Sequence, residues 1–198
     1  MKQRFSSIDV RVLSLELASV ITSLRVSNIY DLSSRIFLFK FQKPGSKQQL
    51  LVDSGFRCHL TSFARTTAAE PSPFVKRLRK YLKSRRVTGV KQIGTDRVIE
   101  IDFSGQYKLY LEFFAAGNVI LTDADLNVLA LLRQVNEGDD NVDVRVGGKY
   151  VLEAKQNYNG VPPVSAECGR ALNVYFTIFL LASIPGIILN VQHVQKIM

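Results

Sequence analysis

Residues 87–123 constrain the fold more than any other part of the chain. They read VTGVKQI, VIEIDF, QYKLYLEFF and NVILTD, four short runs rich in β-branched and aromatic residues. GTDR and SGQ separate the first three and carry the residue types that turns require. Strands joined this tightly must pair antiparallel, because a parallel pair needs a long crossover. NVLALLRQV predicts one further strand, and the acidic, Gly-containing stretch 136–149 predicts a loop. The same reading applies to residues 25–60. RVSNIYDL, RIFLFKF and QQLLVDS are strand-like, the middle run alternates around Phe37, Phe39 and Phe41, and Pro44-Gly45 marks a turn.

Two segments follow helical spacing instead. Over 7–24, Val10, Leu13, Leu17, Val20, Ile21 and Leu24 form one apolar stripe, with Ser6 and Asp9 placed as a capping box. Over 72–86, Ser72 is placed as N-cap and Pro73 as N1, and Phe74, Leu78, Tyr81 and Leu82 share a face. Antiparallel strands with flanking helices predict the α+β class. No Gly-rich loop joins a strand to a helix, so neither a P-loop nor a dinucleotide fingerprint supports nucleotide binding.

Charge narrows the function. The net charge is +9, unevenly placed: residues 1–90 hold 17 Lys/Arg against 5 Asp/Glu, and residues 91–198 hold 9 against 12. Such asymmetry points to a polyanionic partner. Its densest part is the second helix, where Lys76, Arg77, Arg79, Lys80, Lys83, Arg85 and Arg86 fall within eleven residues. Cations so spaced track a phosphate backbone and release its counterions. The alternative is a solvated helix face, but Glu70 and Asp96 are the nearest acids to offset the repulsion.

Enzyme chemistry finds little support. Cys58 and His59 are adjacent on a predicted strand, so their side chains point to opposite faces and form no dyad. Two cysteines and two histidines without metal-ligand spacing predict no zinc site, and no cofactor is expected. The N-terminus lacks the apolar stretch of a secretory signal. Asp96-Arg97, in the turn GTDR, has two open readings. It is ordinary turn chemistry, which the residues alone favour, or an exposed pair gripping phosphate, base edge or ribose. Asp9 likewise has a sufficient role as a first-turn acid.

MKQRFSSIDV, SNIYDLSSRIFLFKF, LLVDSGFRCHLTSFARTTAAEPSPFVKRLRKYLKSRRV, GTDRVIE and LYLEFFAAGNVILTD together resemble the N-terminal domain of the NFACT family, with a fungal cast. The resemblance covers about residues 1–165. It implies an RNA-binding domain, not an enzyme, that binds the large ribosomal subunit after a stalled ribosome splits. It further implies recognition of the retained peptidyl-tRNA and docking of a listerin-type E3 ubiquitin ligase. Charged tRNAs, alanyl and threonyl, are recruited so that the nascent chain gains a C-terminal tail without mRNA. The expected location is the cytoplasm, with the nucleus as a second. By the same resemblance, Asp9, Asp96 and Arg97 engage tRNA, and the family fold is similar to the N-terminal domain of formamidopyrimidine-DNA glycosylases, a β-sandwich-like domain with flanking helices. The proline nucleophile and following glutamate of those enzymes are replaced by Lys2 and Gln3, so glycosylase chemistry does not carry over.

The resemblance fades near PPVSAECGRAL, leaving 166–198 as a divergent apolar tail. Residues 171–192 carry no charge and are long enough to span a bilayer despite Pro185-Gly186. Three readings are open: a truncated or mis-assigned segment, a membrane anchor making the chain a tethered adaptor, or a segment packed on the domain.

Overall fold

In a computed structural model, residues 4–63, 65–67, 70–134, 144–153 and 158 are described, all within the unit Met1–Val161. The tail 166–198 and the boundary expected near 165 lie outside them. The order is α1 (Ser7–Ile21), β1 (Arg25–Asp31), β2 (Ile36–Lys43), β3 (Ser46–Asp53), β4 (Arg57–Leu60), α2 (Pro73–Leu82), β5 (Val87–Gln92), β6 (Val98–Phe103), β7 (Tyr107–Glu112), β8 (Asn118–Asp123) and β9 (Val128–Leu131). Strands β1–β4 form one antiparallel meander and β5–β9 a second. The α+β expectation holds.

One core takes side chains from both sheets and both helices. Phe37, Phe39 and Phe41 enter it from β2 as their alternation predicts, and Val10, Leu13, Leu17 and Ile21 from α1. Burying each such side chain contributes about 1.5–3 kcal/mol. The second sheet is covered on both faces, which explains why its strands read as near-continuous apolar runs. Ile99, Ile101, Leu109, Leu111, Val119 and Leu121 face the shared core. Val98, Tyr110 and Ile120 face a smaller cluster closed by Tyr150 and Leu152.

That outer cluster holds two carboxylates. Glu100 and Glu112 are buried, and each accepts a phenol: Tyr110 Oη donates to Glu100 Oε2 at 2.9 Å and Tyr150 Oη to Glu112 Oε1 at 2.7 Å. Lys91 Nζ approaches Glu100 Oε1 at 3.2 Å. Partners of this kind offset the cost of removing a carboxylate from water.

Both helices stop short of their predicted ends for the same physical reason. α1 ends at Ile21 rather than residue 24, and α2 at Leu82 rather than residue 86. A serine beyond each end takes a left-handed φ, +74° at Ser23 and +66° at Ser84. The backbone groups so released pair with each other. Ser23 N donates to Val87 O, Val87 N to Leu24 O, Val26 N to Arg85 O, and Ser84 N to Val26 O, all at 2.8–2.9 Å. This seam joins the start of β1 to the start of β5. Tertiary pairing, invisible in local periodicity, outcompetes another helical turn. Strand β4 was not separated from its neighbours in sequence. It pairs with β3 from Leu50↔Leu60 to Asp53↔Arg57.

Candidate nucleic-acid interface

The turns β1–β2, β3–β4, β5–β6 and β7–β8 gather with the N-terminus of α1 at one end of the unit. The contacts that draw them together are specific. Ser7 Oγ donates a short hydrogen bond to Thr95 O in the β5–β6 turn. Gln92 Nε2 donates to Ser7 O at 3.1 Å and to Asp96 O at 2.8 Å. The first turn of α1 and the Asp96-Arg97 turn, remote in sequence, are therefore one hydrogen-bonded structure.

Within it, Asp9 has its expected capping role. Its Oδ2 accepts from Ser6 N and from Ser6 Oγ, both at 2.7 Å. Asp96 has its expected turn role: its amide donates to Ile93 O at 3.0 Å, and its Oδ1 accepts from Arg97 N at 2.7 Å. Neither role consumes the Arg97 guanidinium. Arg97 is half-buried, and its side chain makes no hydrogen bond or ion pair among the described residues. The turn is supported from beneath by the outer cluster. The Tyr150 phenol is held well above its usual range, first by burial, then by Glu112, with Asp96 among the smaller contributors.

Sequence reasoning missed Arg4, Phe5, Arg35, Phe56 and Phe113, which complete this end. Phe5 packs on Phe113 with ring centroids 5.3 Å apart, and Phe113 N donates to Arg97 O at 2.8 Å. Arg35 Nη2 bonds Ser54 O at 3.1 Å and Ala116 O at 2.6 Å, fastening the β3–β4 turn to the β7–β8 turn. These turns meet at two glycines, Gly55 (φ +79°) and Gly117 (φ +72°). The available signal was the basic-aromatic spacing of QRF and GFR, too short to stand alone.

The seven cations of the predicted basic helix split. Lys76, Arg77 and Lys80 lie exposed on α2, whereas Lys83, Arg85 and Arg86 follow its end. Arg79 and Arg85 are half-buried and anchored. Arg79 Nε donates to Ile29 O at 2.7 Å, with its guanidinium over Tyr30, and Arg85 bonds Gln106 and lies over Tyr107. Tyr81 packs on Tyr107 and so belongs to the apolar face, as its spacing predicts. None of the seven has an ion-pair partner among the described residues.

Lys83, Arg85 and Arg86 do not crowd around Asp96 and Arg97. Ser72, at the start of α2, is bonded to Asp31 at the end of β1, while Arg86 pairs with Arg25 at the strand's beginning. A strand of this length separates them by roughly 20 Å. β5 then leads from Val87 away from Arg86 toward the Asp96-Arg97 turn. The structure thus brings Asp9, Asp96 and Arg97 together and sets Lys83, Arg85 and Arg86 at the other end.

The Cys58 thiol is buried in the core and pushed upward, by burial first and by Glu16 second; it is a packing residue. Among the described residues no helix is long and apolar enough to cross a membrane, and residues 171–192 lie outside them.

Solved structures similar in fold include the N-terminal domain of the fibronectin-binding protein PavA from Streptococcus pneumoniae. It has a TM-score of 0.72 and 20% identity, covering 87% of this chain and 72% of that one. The N-terminal part of the fibronectin/fibrinogen-binding protein from Streptococcus suis aligns with a TM-score of 0.68 and 20% identity over 81% of this chain and 62% of that one. These neighbours, rather than formamidopyrimidine-DNA glycosylases, correct the fold comparison expected from sequence. Among relatives by sequence, ribosome quality control complex subunit 2 of Schizosaccharomyces pombe is 44% identical over 182 residues, covering 84% of this chain and 18% of that protein. The human ribosome quality control complex subunit NEMF is 38% identical over 156 residues, covering 77% of this chain and 14% of that protein. The chain thus spans less than a fifth of the length of these relatives. Residues 6–167 match the family described as NFACT N-terminal and middle domains, and with identities of this size over most of the chain, the protein belongs to the NFACT family.

Proposed function

We propose that this domain is a tRNA- and large-subunit-binding module acting in ribosome quality control. The names of its relatives support the pathway. The observation that carries the RNA reading is the junction of α1 with the β5–β6 turn, because it makes Asp9, Asp96 and Arg97 one site. Arg97 has there a guanidinium without a partner among the described residues, available for phosphate or a base edge, and Asp96 a carboxylate able to accept from ribose or an exocyclic amine. The exposed lysines and arginines on and after α2 supply the second, sequence-independent grip. The separation of Lys83, Arg85 and Arg86 from the turn suits an extended, folded RNA better than a short ligand.

In this reading the domain does no bond chemistry. It delivers charged tRNA, alanyl and threonyl, to a large subunit that still holds peptidyl-tRNA. The ribosome then extends the tail without mRNA, and a listerin-type ubiquitin ligase is recruited by the longer protein in the cytoplasm. The test is tRNA and large-subunit binding across a salt series. Asp96→Ala/Arg97→Ala should weaken tRNA binding and flatten the salt slope by about one unit. Unchanged affinity and slope in the double variant would remove the turn from the interface.

A further inference from the structure

The end of the molecule that carries Asp96 and Arg97 also presents an aromatic ring with cations on it. Phe56 is half-buried in the β3–β4 turn, with Arg35 Cζ 5.3 Å and Arg4 Cζ 5.5 Å from the ring centroid. The ring is held in place. Phe56 N donates to Asp53 O at 3.0 Å, and Arg35 fastens the turn through Ser54 O and Ala116 O. Arg4 differs: it is exposed and makes no hydrogen bond or ion pair among the described residues.

Two independent features bear on what binds here. Arg4, Arg35 and Arg97 have no carboxylate within ion-pair distance among the described residues, so their combined charge favours a polyanion. Phosphate alone does not call for an aromatic face. A ring that accommodates a planar guanidinium also accommodates a planar base, which stacks on phenyl or guanidinium alike. Arg4, with no other tie among the described residues, can leave the ring for a neighbouring phosphate.

We propose that Phe56, Arg4 and Arg35 form a stacking site for an unpaired base of single-stranded RNA beside the Asp96-Arg97 turn. The proposal rests on the RNA-binding reading above. The base takes the face of Phe56 that Arg4 now covers, Arg4 moves to the adjacent phosphate, and Arg35 stays as the clamp. Duplex RNA, with its bases already stacked, gains nothing from Phe56.

The experiment uses the full chain with a short unstructured RNA oligonucleotide and an RNA duplex of equal length. Phe56→Leu should weaken single-strand binding roughly tenfold, within the range for losing one aromatic platform. It should leave duplex binding and the salt slope unchanged, while Phe56→Tyr keeps wild-type affinity. Arg4→Ala should lower the single-strand salt slope by roughly 0.7. Wild-type single-strand affinity in a folded Phe56→Leu variant overturns the stacking site. Should Phe56→Leu fail to fold, Arg4→Ala with unchanged affinity and slope overturns it equally. Loss of binding in Asp96→Ala/Arg97→Ala alone would leave the turn reading standing and this one refuted; loss in Phe56→Leu alone would do the opposite.

Discussion

Gly117 has no room for a side chain. A Cβ there would fall 2.1 Å from the N and Cα atoms of Gly55, and its φ of +72° already lies in the left-handed region. Gly45 has the same kind of backbone, φ +78°, but nothing within 4 Å of its Cβ position. The pair separates backbone strain from steric contact. Gly45→Ala should cost about 1–2 kcal/mol for the left-handed alanine, and Gly117→Ala more than about 4 kcal/mol because backbone must move as well. Urea unfolding of the two variants measures the gap; equal costs would mean that the two turns do not meet this closely. Sequence reveals only one of these glycines. Gly45 follows a proline between two strand-like runs, whereas the reason for Gly117 sits in a distant turn.

At the scale of elements, α2 is tied down at its N-cap. Ser72 Oγ accepts from Val75 N at 3.2 Å and donates to Asp31 Oδ1 at 2.7 Å, and Ser72 N donates to Asp31 Oδ2 at 2.8 Å. Ser72→Ala removes the cap and one of two bonds to a buried carboxylate, and should cost about 1–2 kcal/mol in thermal unfolding. A variant as stable as the parent would show that Asp31 alone positions the helix. The cap residue, Pro73 and the apolar face were legible because they are local. Ser84 was not, because what stops α2 is a pairing offered by β1. The same division explains the site: the residue types of Asp9, Asp96 and Arg97 suggest turn and cap chemistry locally, and only the fold shows that the cap and the turn are one structure. For Arg4 and Phe56 the local signal, a single basic-aromatic pair in QRF and in GFR, is too short to mark a site.

For the molecule as a whole, the buried phenols make stability depend on pH in the alkaline range. Burial first, then the neighbouring glutamates, hold Tyr110 and Tyr150 above the ordinary tyrosine value of 10.0. Between that value and their raised folded values, the folded state keeps protons that the unfolded chain gives up. Stability from this source is therefore complete below about pH 10 and declines as pH rises beyond it. Melting temperature followed from pH 8 to 11 should fall past 10, and the fall should shrink in Tyr110→Phe. An unchanged profile in that variant would exclude Tyr110 as a contributor.

The seam between β1 and β5 also implies a timetable. Each sheet is a meander of consecutive strands, so its hairpins close between near neighbours in the chain. α1, which leaves the ribosome before the other elements described, packs against β5 and β6. It must wait, apolar face unsatisfied, through the synthesis of the first sheet and α2. Only when Thr95 has emerged can Ser7 find its partner. The surface that joins Asp9 to Asp96 and Arg97 thus takes shape only after the first sheet and α2 have been made, and a nascent chain halted before the second sheet cannot yet display it.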